Sequence, residues 1–173
     1  MIILITGASH TGKTLLSQRL LEKYQYPYIS MDHIKMGLIR SGNTELTPYD
    51  DDKMTAYLWP IIREIIKTAI ENEQNLIVEG CYVPADWEID FSPEYRFKIK
   101  FYCLVMSESY IRSHFDEIKN HACAIEQRGA DSDFDINFAI EDNKRYLLDF
   151  GKNKESLILF NDNYNLEEYF NVK

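Results

Sequence analysis

The residues with the clearest chemical signature lie near the start of the chain, where positions 7–14 read GASHTGKT. This stretch fits G-x-x-x-x-G-K-[ST], the pattern of a phosphate-binding loop (P-loop). In such a loop backbone N–H groups surround an anion, the lysine reaches the β- and γ-phosphates, and the last hydroxyl binds Mg²⁺. We therefore predict a nucleotide-phosphate site, with Thr14 as a Mg²⁺ ligand. It is formed by Gly7, Ala8, Ser9, His10, Thr11, Gly12, Lys13 and Thr14.

The segments on either side of this loop have the patterns that a P-loop needs. Residues 1–6, MIILIT, form an apolar run typical of a strand buried on both faces of a parallel sheet. Residues 13–24, KTLLSQRLLEKY, place leucines on one stripe of a helix and charged side chains on the other. The order strand, glycine loop, helix favours a nucleotide site over an ordinary glycine-rich turn.

Composition limits the classes of function. The chain has 173 residues, and its formal net charge of −9 opposes general attraction to nucleic acid or anionic membranes. The three cysteines, Cys81, Cys103 and Cys123, lack metal-site spacing and are interpreted as reduced thiols. With no signal sequence or membrane-length apolar run evident, we expect a cytoplasmic protein with neither a nucleic-acid nor a membrane partner. The sequence does not indicate an oligomeric state.

Strand and helix patterns alternate along the rest of the chain. This alternation predicts an α/β fold, with a five-stranded parallel sheet, helices on both faces and a helical lid, in a single domain covering 1–173. Pro60 is expected to kink or divide its helix, and Ser107 to cap another. The further strands are predicted at 26–30, 75–80, 97–106 and 156–162, the helices at 31–42, 47–73, 107–129 and 136–151, and the lid at about 112–133.

Ligands of such sheets bind at the carboxyl ends of the strands, which directs attention to two acidic residues. Asp32 follows the second predicted strand, and Glu79-Gly80 ends the third. Asp32 is a candidate base for an acceptor hydroxyl, or alternatively a helix N-cap. Glu79 is a candidate for Mg²⁺ binding through water or for acceptor binding, together with Gly80. The alternative for Glu79 is a buried acid that is hydrogen-bonded to backbone.

With these residues, the chain resembles the nucleoside-monophosphate-kinase-like group, which includes adenylate, shikimate and gluconate kinases, chloramphenicol phosphotransferase and zeta toxins. Residues 32–35, DHIK, are similar to the Asp-x-x-Arg of adenylate kinases, with Lys35 in place of the acceptor-phosphate arginine. Residues 78–84, VEGCYVP, resemble Asp-Gly-Phe-Pro-Arg but lack the arginine. The resemblance implies a three-layer P-loop NTPase fold, ATP and Mg²⁺ as cofactors, and Asp32 and Lys35 near the acceptor. It favours a hydroxyl acceptor over a nucleoside monophosphate.

Phosphoryl transfer also needs cations from a segment that closes over the phosphates. Arg112 and Arg128 are the candidates in the predicted lid, because a guanidinium group binds two phosphate oxygens at once. Lys119 and Arg145 are weaker candidates. The alternative for all four is a solvated helix face.

We therefore expect an ATP-dependent kinase with Lys13, Asp32, Arg112 and Arg128 as catalytic residues and a small-molecule hydroxyl compound as acceptor. A nucleoside or nucleotide kinase of the same fold and a regulatory P-loop NTPase remain as alternatives. Aromatic residues in segments expected to border the acceptor pocket are candidates for stacking on a ring or sugar, or for simple core packing. They are Tyr49, Tyr57, Trp59, Tyr82 and Trp87.

Overall fold

A computed structural model describes residues 1–121, 134–152 and 154–170. Five parallel strands form one sheet in the order β2-β3-β1-β4-β5, as the alternation of strands and helices predicted. The strands are β1 (Ile2–Gly7), β2 (Tyr28–Ser30), β3 (Leu76–Glu79), β4 (Ile99–Met106) and β5 (Leu157–Phe160).

Helices cover both faces of the sheet. Buried side chains of β1 alternate between two hydrophobic cores, so that Ile2 and Leu4 face one and Ile3 and Ile5 face the other. The helices are α1 (Lys13–Tyr24), α2 (Met31–Arg40), α3 (Asp51–Glu71), the single turn α4 (Pro93–Arg96), α5 (Glu108–Asn120) and α6 (Ile136–Phe150). Side chains of α3 pack in the core that contains Ile2, and side chains of α1 and α5 pack in the core that contains Ile3. The result is the predicted three-layer arrangement.

Two local predictions have clear outcomes. Pro60 lies inside α3, which continues as one helix, so of the two predicted outcomes, a kink or a division, the division is wrong. The neighbouring turns of α3 are anchored in the core by Leu58 and Ile62, which are fully or almost fully buried. Ser107 is the N-cap of α5, and its side chain accepts a hydrogen bond from the N–H of Tyr110, as expected.

The sequence patterns missed two short elements between β3 and β4, a 3-10 turn at Trp87–Asp90 and the helix α4. A second 3-10 turn lies after β5, at Glu167–Phe170. Of the predicted lid, residues 112–120 belong to α5, whereas 122–133 lie outside the described residues. No helix in the described ranges has both the length and the apolar character needed to span a bilayer.

Candidate active site

The P-loop connects the central strand β1 to α1, and its first half is fixed to the sheet. The N–H of Ala8 donates to the carbonyl oxygen of Leu104 in β4 at 3.1 Å. The Ala8 carbonyl oxygen accepts from Thr11 Oγ1 at 2.7 Å and from Lys13 Nζ at 2.8 Å. The first N–H groups of α1 have no acceptors within the helix, so they and the Lys13 ammonium are available to an anion at this end.

Gly12, the N-cap of α1, is required by both conformation and space. Its φ of +86° lies in the left-handed region, and a Cβ atom added there would lie 1.8 Å from Oη of Tyr164. The Tyr164 hydroxyl donates to the Thr11 carbonyl oxygen at 3.3 Å. Burial raises the pKa of this hydroxyl to about 12, so it remains a donor at neutral pH. The segment after β5 therefore packs directly on the P-loop.

His10 has a packing role in the loop. Its imidazole stacks on the ring of Phe134, with the ring centroids 3.8 Å apart. Within the described part of the chain, no three His, Cys, Asp or Glu side chains are grouped so that they could hold a metal ion. The imidazole thus closes the side of the loop against the start of α6.

Glu79 lies at the carboxyl end of β3, on the α1 side of the sheet. Val78 packs in the opposite core and Ile77 in the core that contains α1, so alternation places the Glu79 side chain towards α1. Ser30 pairs with Glu79 in the register of β2 and β3. Glu79 is buried, with 2% of its surface exposed, and the Ser30 hydroxyl is buried without a hydrogen-bond partner among the described residues. The two therefore form a buried polar pair at the sheet edge that carries the loop.

Gly80 allows the end of β3 to approach α2. A Cβ atom at Gly80, whose φ is +156°, would lie 2.6 Å from Cβ of Met31. Met31 is fully buried as the first residue of α2. This close contact brings Asp32, the next residue, beside the end of β3, where the sequence predicted both acids to converge.

Asp32 lies in the first turn of α2 and is half-buried. The N-cap of this helix is Ser30, so the alternative prediction that Asp32 is the cap is wrong. A carboxylate in the first turn is still favoured by the helix dipole. Its side chain remains a candidate for the acceptor-orienting role.

The pKa of the Cys81 thiol depends on burial and on the charges around it. The pKa of Cys81 is raised to about 11, mainly by burial; the Lys13 ammonium opposes the increase, and the carboxylates of Asp32 and Asp51 contribute to it. The Lys13 ammonium and these two carboxylates therefore all influence the pKa of Cys81, in the segment after β3. Tyr146 Oη donates to the Cys81 carbonyl oxygen at 2.9 Å and fixes this segment to α6.

Lys35, the predicted acceptor-binding cation, is already engaged by the protein. Its Nζ donates to Asp51 Oδ1 at 2.8 Å, to Tyr82 Oη at 2.7 Å and to the Pro48 carbonyl oxygen at 3.0 Å. Tyr82 Oη in turn donates to the same Asp51 oxygen at 2.8 Å. Only 7% of the Lys35 surface is exposed. All three ammonium donors have partners, so the residue joins α2, α3 and the segment after β3.

The aromatic candidates divide between core and surface. Trp59 and Trp87 are buried and pack edge-on against Phe91, which agrees with the core-packing alternative. Tyr49 is 93% exposed. Tyr57 donates its hydroxyl to the Asn43 carbonyl oxygen. With Tyr82 engaged by Lys35, the aromatic side chains do not form a single stacking surface.

The arginine side chains that were candidates for binding phosphate have different surroundings. Arg112 binds Glu108 Oε1 through Nε at 2.9 Å and Nη2 at 2.7 Å on the exposed face of α5, as the solvated-face alternative describes. Arg128 lies outside the described residues. Arg145, a weaker candidate, is linked to the loop through a carboxylate, since its Nη2 donates to Asp142 Oδ1 at 2.7 Å. The other oxygen, Asp142 Oδ2, accepts the Ser9 N–H at 2.8 Å.

The sequence reasoning missed Asp142, although the helical pattern contains a signal for it. Ala139, Asp142, Asn143 and Tyr146 are spaced as one face of a helix, and all four are buried. Two polar residues on an apolar stripe require partners. Asn143 Oδ1 accepts the Met106 N–H at 2.7 Å. Asn143 therefore docks α6 on the end of β4, and Asp142 docks it on the P-loop.

Comparisons with known proteins agree with this geometry. No protein-family model matches the chain, and no curated protein sequence matches it significantly. A shikimate kinase from Bacteroides thetaiotaomicron matches with a TM-score of 0.56 and 16% identity, over 96% of this chain and 89% of that chain. The chain has the P-loop NTPase fold. A deoxyadenosine kinase from M. mycoides, solved with dCMP and dCDP, matches with a TM-score of 0.53 and 15% identity, over 98% of this chain and 95% of that chain.

The P-loop NTPase fold, shared with these kinases, confirms the resemblance to the nucleoside-monophosphate-kinase-like group at the level of architecture only. In the sheet, β2 and β3 lie on one side of β1, and β4 and β5 lie on the other. The connections between strands therefore switch from one side to the other beside β1. Ligands of open α/β sheets bind at this switch point. The P-loop, Asp32 and Glu79 all lie there.

Proposed function

We propose that this protein is an ATP-dependent kinase that transfers the γ-phosphoryl group to a hydroxyl group of a small molecule, with Mg²⁺. The observation that carries the proposal is the P-loop at the switch point of the sheet, with Asp32 and Glu79 at the same edge. Phosphoryl transfer needs a phosphate cradle, a metal ion held between phosphates and protein, and an oriented acceptor hydroxyl. Each requirement has a residue of suitable chemistry at this edge.

The nucleotide half of the site uses Lys13 and the start of α1. Lys13 Nζ rests on a carbonyl oxygen of its own loop, so moving to the β- and γ-phosphates requires only a side-chain rotation. N–H groups at the start of α1 and the positive end of its dipole favour the phosphate charge. In a site that excludes water, this arrangement stabilises charge that develops on the γ-phosphoryl group.

The residues present fit a magnesium ion that arrives with the nucleotide. Mg²⁺ is usually held by one or two carboxylates, substrate phosphates and several waters. Thr14 and Glu79 would supply the protein oxygens, Glu79 through water, and the buried Ser30 hydroxyl offers a further partner for such a water. Held there, such an ion would supply positive charge that neutralises the phosphates during transfer.

Asp32 is the residue proposed to act on the acceptor. It is half-buried beside the end of β3, and the N-cap position of its helix is Ser30, so the carboxylate is not the cap and can accept the proton of an acceptor hydroxyl. The hydroxyl oxygen bonds to the γ-phosphorus, the bond to the β–γ bridging oxygen breaks, and ADP leaves. Arg112 and Arg128 remain proposed contributors of positive charge from the lid.

We further propose that the acceptor is neutral or weakly charged. The one cation found near Asp32 on α2 is Lys35, whose charge is paired with Asp51 and whose donors are all used. Asp32 and Asp51 add negative charge to this side, so an anionic acceptor would meet repulsion. Nucleosides belong to the favoured class, which keeps a nucleoside kinase as a second candidate, whereas nucleoside monophosphates do not.

The test is ADP release across two matched sets of compounds. One set contains neutral sugars, nucleosides and hydroxylated antibiotics, and the other contains shikimate, gluconate, AMP, CMP and UMP. Lys13→Ala is the control for contaminating kinases. We expect acceptor-dependent ADP release with a member of the neutral set. Efficient turnover of a nucleoside monophosphate would contradict the choice of acceptor, and ADP release that no acceptor accelerates would favour a regulatory NTPase.

A further inference from the structure

The carboxylate of Asp142 makes a contact that the proposed chemistry does not use. Its side chain is 7% exposed, and its two oxygens bind different partners. Oδ2 accepts the N–H of Ser9 at 2.8 Å, and Oδ1 accepts Nη2 of Arg145 at 2.7 Å. Asp142 thus joins the P-loop to α6, a helix that lies 133 positions further along the chain.

This contact completes the support of the first half of the loop. The Ala8 N–H is bound by Leu104 of β4, and the Thr11 hydroxyl binds the Ala8 carbonyl oxygen. Ser9 lies between these anchors, and Asp142 is the side chain that binds its N–H. Without that acceptor, the Ser9 peptide can rotate, and the N–H groups that follow it lose their fixed direction.

We propose that Asp142 is a positioning residue that holds the P-loop in its phosphate-binding shape. The inference rests on the proposed function only in taking ATP as the ligand of the loop. A hydrogen bond to a charged group contributes enough to change a binding constant by about 10–100-fold when the bond is removed.

Arg145 makes this carboxylate compatible with a nearby phosphate. A bare carboxylate next to the loop would repel ATP, and the Arg145 guanidinium neutralises it while lying over the ring of Tyr146, 5.2 Å from the ring centroid. Removing Arg145 should therefore weaken ATP binding, and removing the Asp142 charge as well should restore part of the loss. If Arg145 instead bound phosphate directly, no such restoration would occur.

The experiment measures the dissociation constant of a non-hydrolysable ATP analogue with Mg²⁺ by calorimetry. We expect Asp142→Ala to weaken binding by about 10–100-fold. Asp142→Asn should weaken it less, because the amide oxygen still accepts the Ser9 N–H. The matched control is Asp149→Asn, an exposed acid two turns further along α6, which should leave binding within about twofold. The double variant Arg145→Gln/Asp142→Asn should bind more tightly than Arg145→Gln alone.

Steady-state kinetics separate positioning from general damage. The KM for ATP should rise in the Asp142 variants, while the KM for the acceptor stays unchanged. Should Asp142→Ala fail to fold, Asp142→Asn and the double variant carry the same test. Two results would overturn the inference but leave the proposed function standing. One is an affinity of Asp142→Ala for the ATP analogue within twofold of wild type. The other is an equal loss of affinity in Arg145→Gln and in the double variant. A wild-type protein that binds no ATP analogue would overturn both the inference and the proposed function. Tight binding with no turnover would refute only the kinase activity.

Discussion

Replacing Gly12 by alanine measures how closely the P-loop packs on the segment after β5. The added Cβ atom would lie 1.8 Å from Oη of Tyr164 and 3.1 Å from Cζ of the same ring. The left-handed backbone conformation costs alanine about 1–2 kcal/mol. Forcing a methyl group into a packed site costs a further 1–3 kcal/mol, approximately. We expect Gly12→Ala to lower the free energy of unfolding by about 2–5 kcal/mol.

Two variants separate the backbone contribution from the steric one. Gly42 has a φ of +72°, and an added Cβ atom there would have no neighbour within 4 Å, so Gly42→Ala measures the backbone cost alone. Tyr164→Phe removes the hydroxyl oxygen that the new methyl group would meet. In that background, Gly12→Ala should cost about 1–2 kcal/mol, close to the value for Gly42→Ala.

Equilibrium unfolding in urea gives these differences from the transition midpoints, provided that the slope m is unchanged. Thermal unfolding is a second measure, at about 2–4 °C per kcal/mol for a chain of this size. A loss in Gly12→Ala no larger than that in Gly42→Ala would refute the packing argument. An identical loss with and without the Tyr164 hydroxyl would refute it as well.

Three further predictions concern the site itself. Lys13→Ala should abolish ATP-dependent phosphorylation and leave the urea midpoint unchanged, because the Lys13 ammonium donates to a carbonyl oxygen of its own loop and does not pack in the core. Asp32→Asn should lower turnover by a factor on the order of 10²–10⁴, with ATP affinity and stability little changed, since Asp32 is not the N-cap of its helix and asparagine keeps its shape. Because the pKa of Cys81 is raised to about 11, its alkylation in a Cys123→Ser background at pH 7.5 should be slower than that of a free thiol by about two orders of magnitude, and should accelerate as pH rises towards 11.

Each of these has an outcome that would contradict it. Full activity in Lys13→Ala would remove the P-loop lysine from the mechanism. An Asp32→Asn variant that unfolds more easily but turns over normally would assign the carboxylate a structural role. Alkylation of Cys81 at the rate of glutathione would show that its thiol is neither buried nor surrounded by negative charge.

The fold was predictable because its signals are local. The Ile-rich run before the P-loop is buried on both faces as its pattern indicates, and the strand–helix alternation gives the parallel sheet. Pro60 shows the limit of a local rule. Proline weakens a helix interior, yet here the adjacent turns are anchored in the core by Leu58 and Ile62, and α3 continues through it.

The site was predictable only in part, because its remaining contacts join distant segments. The loop and the two acids follow from motif and strand order. The pairing of Lys35 with Asp51, 16 positions away, depends on how α2 and α3 pack. The partner of Trp59, whose Nε1 donates to Asp90 at 2.7 Å, depends on how α3 packs on the 3-10 turn at Trp87–Asp90. Residue type alone could not distinguish a phosphate-binding lysine from a paired one.

The network of Lys35, Asp51 and Tyr82 restricts how this protein can evolve towards other acceptors. Because Lys35 is the buried member of the pair, with its side chain 9% exposed against 66% for Asp51, replacing Asp51 leaves a buried ammonium without its charge partner and lowers the stability of the protein. Recruiting Lys35 to bind a substrate anion therefore requires Asp51 and Tyr82 to change together with it. The intermediate single substitutions would be selected against before any new activity arose. Under the proposed function, a change of acceptor specificity at this position therefore depends on epistasis. Laboratory evolution should reach such a change through paired substitutions.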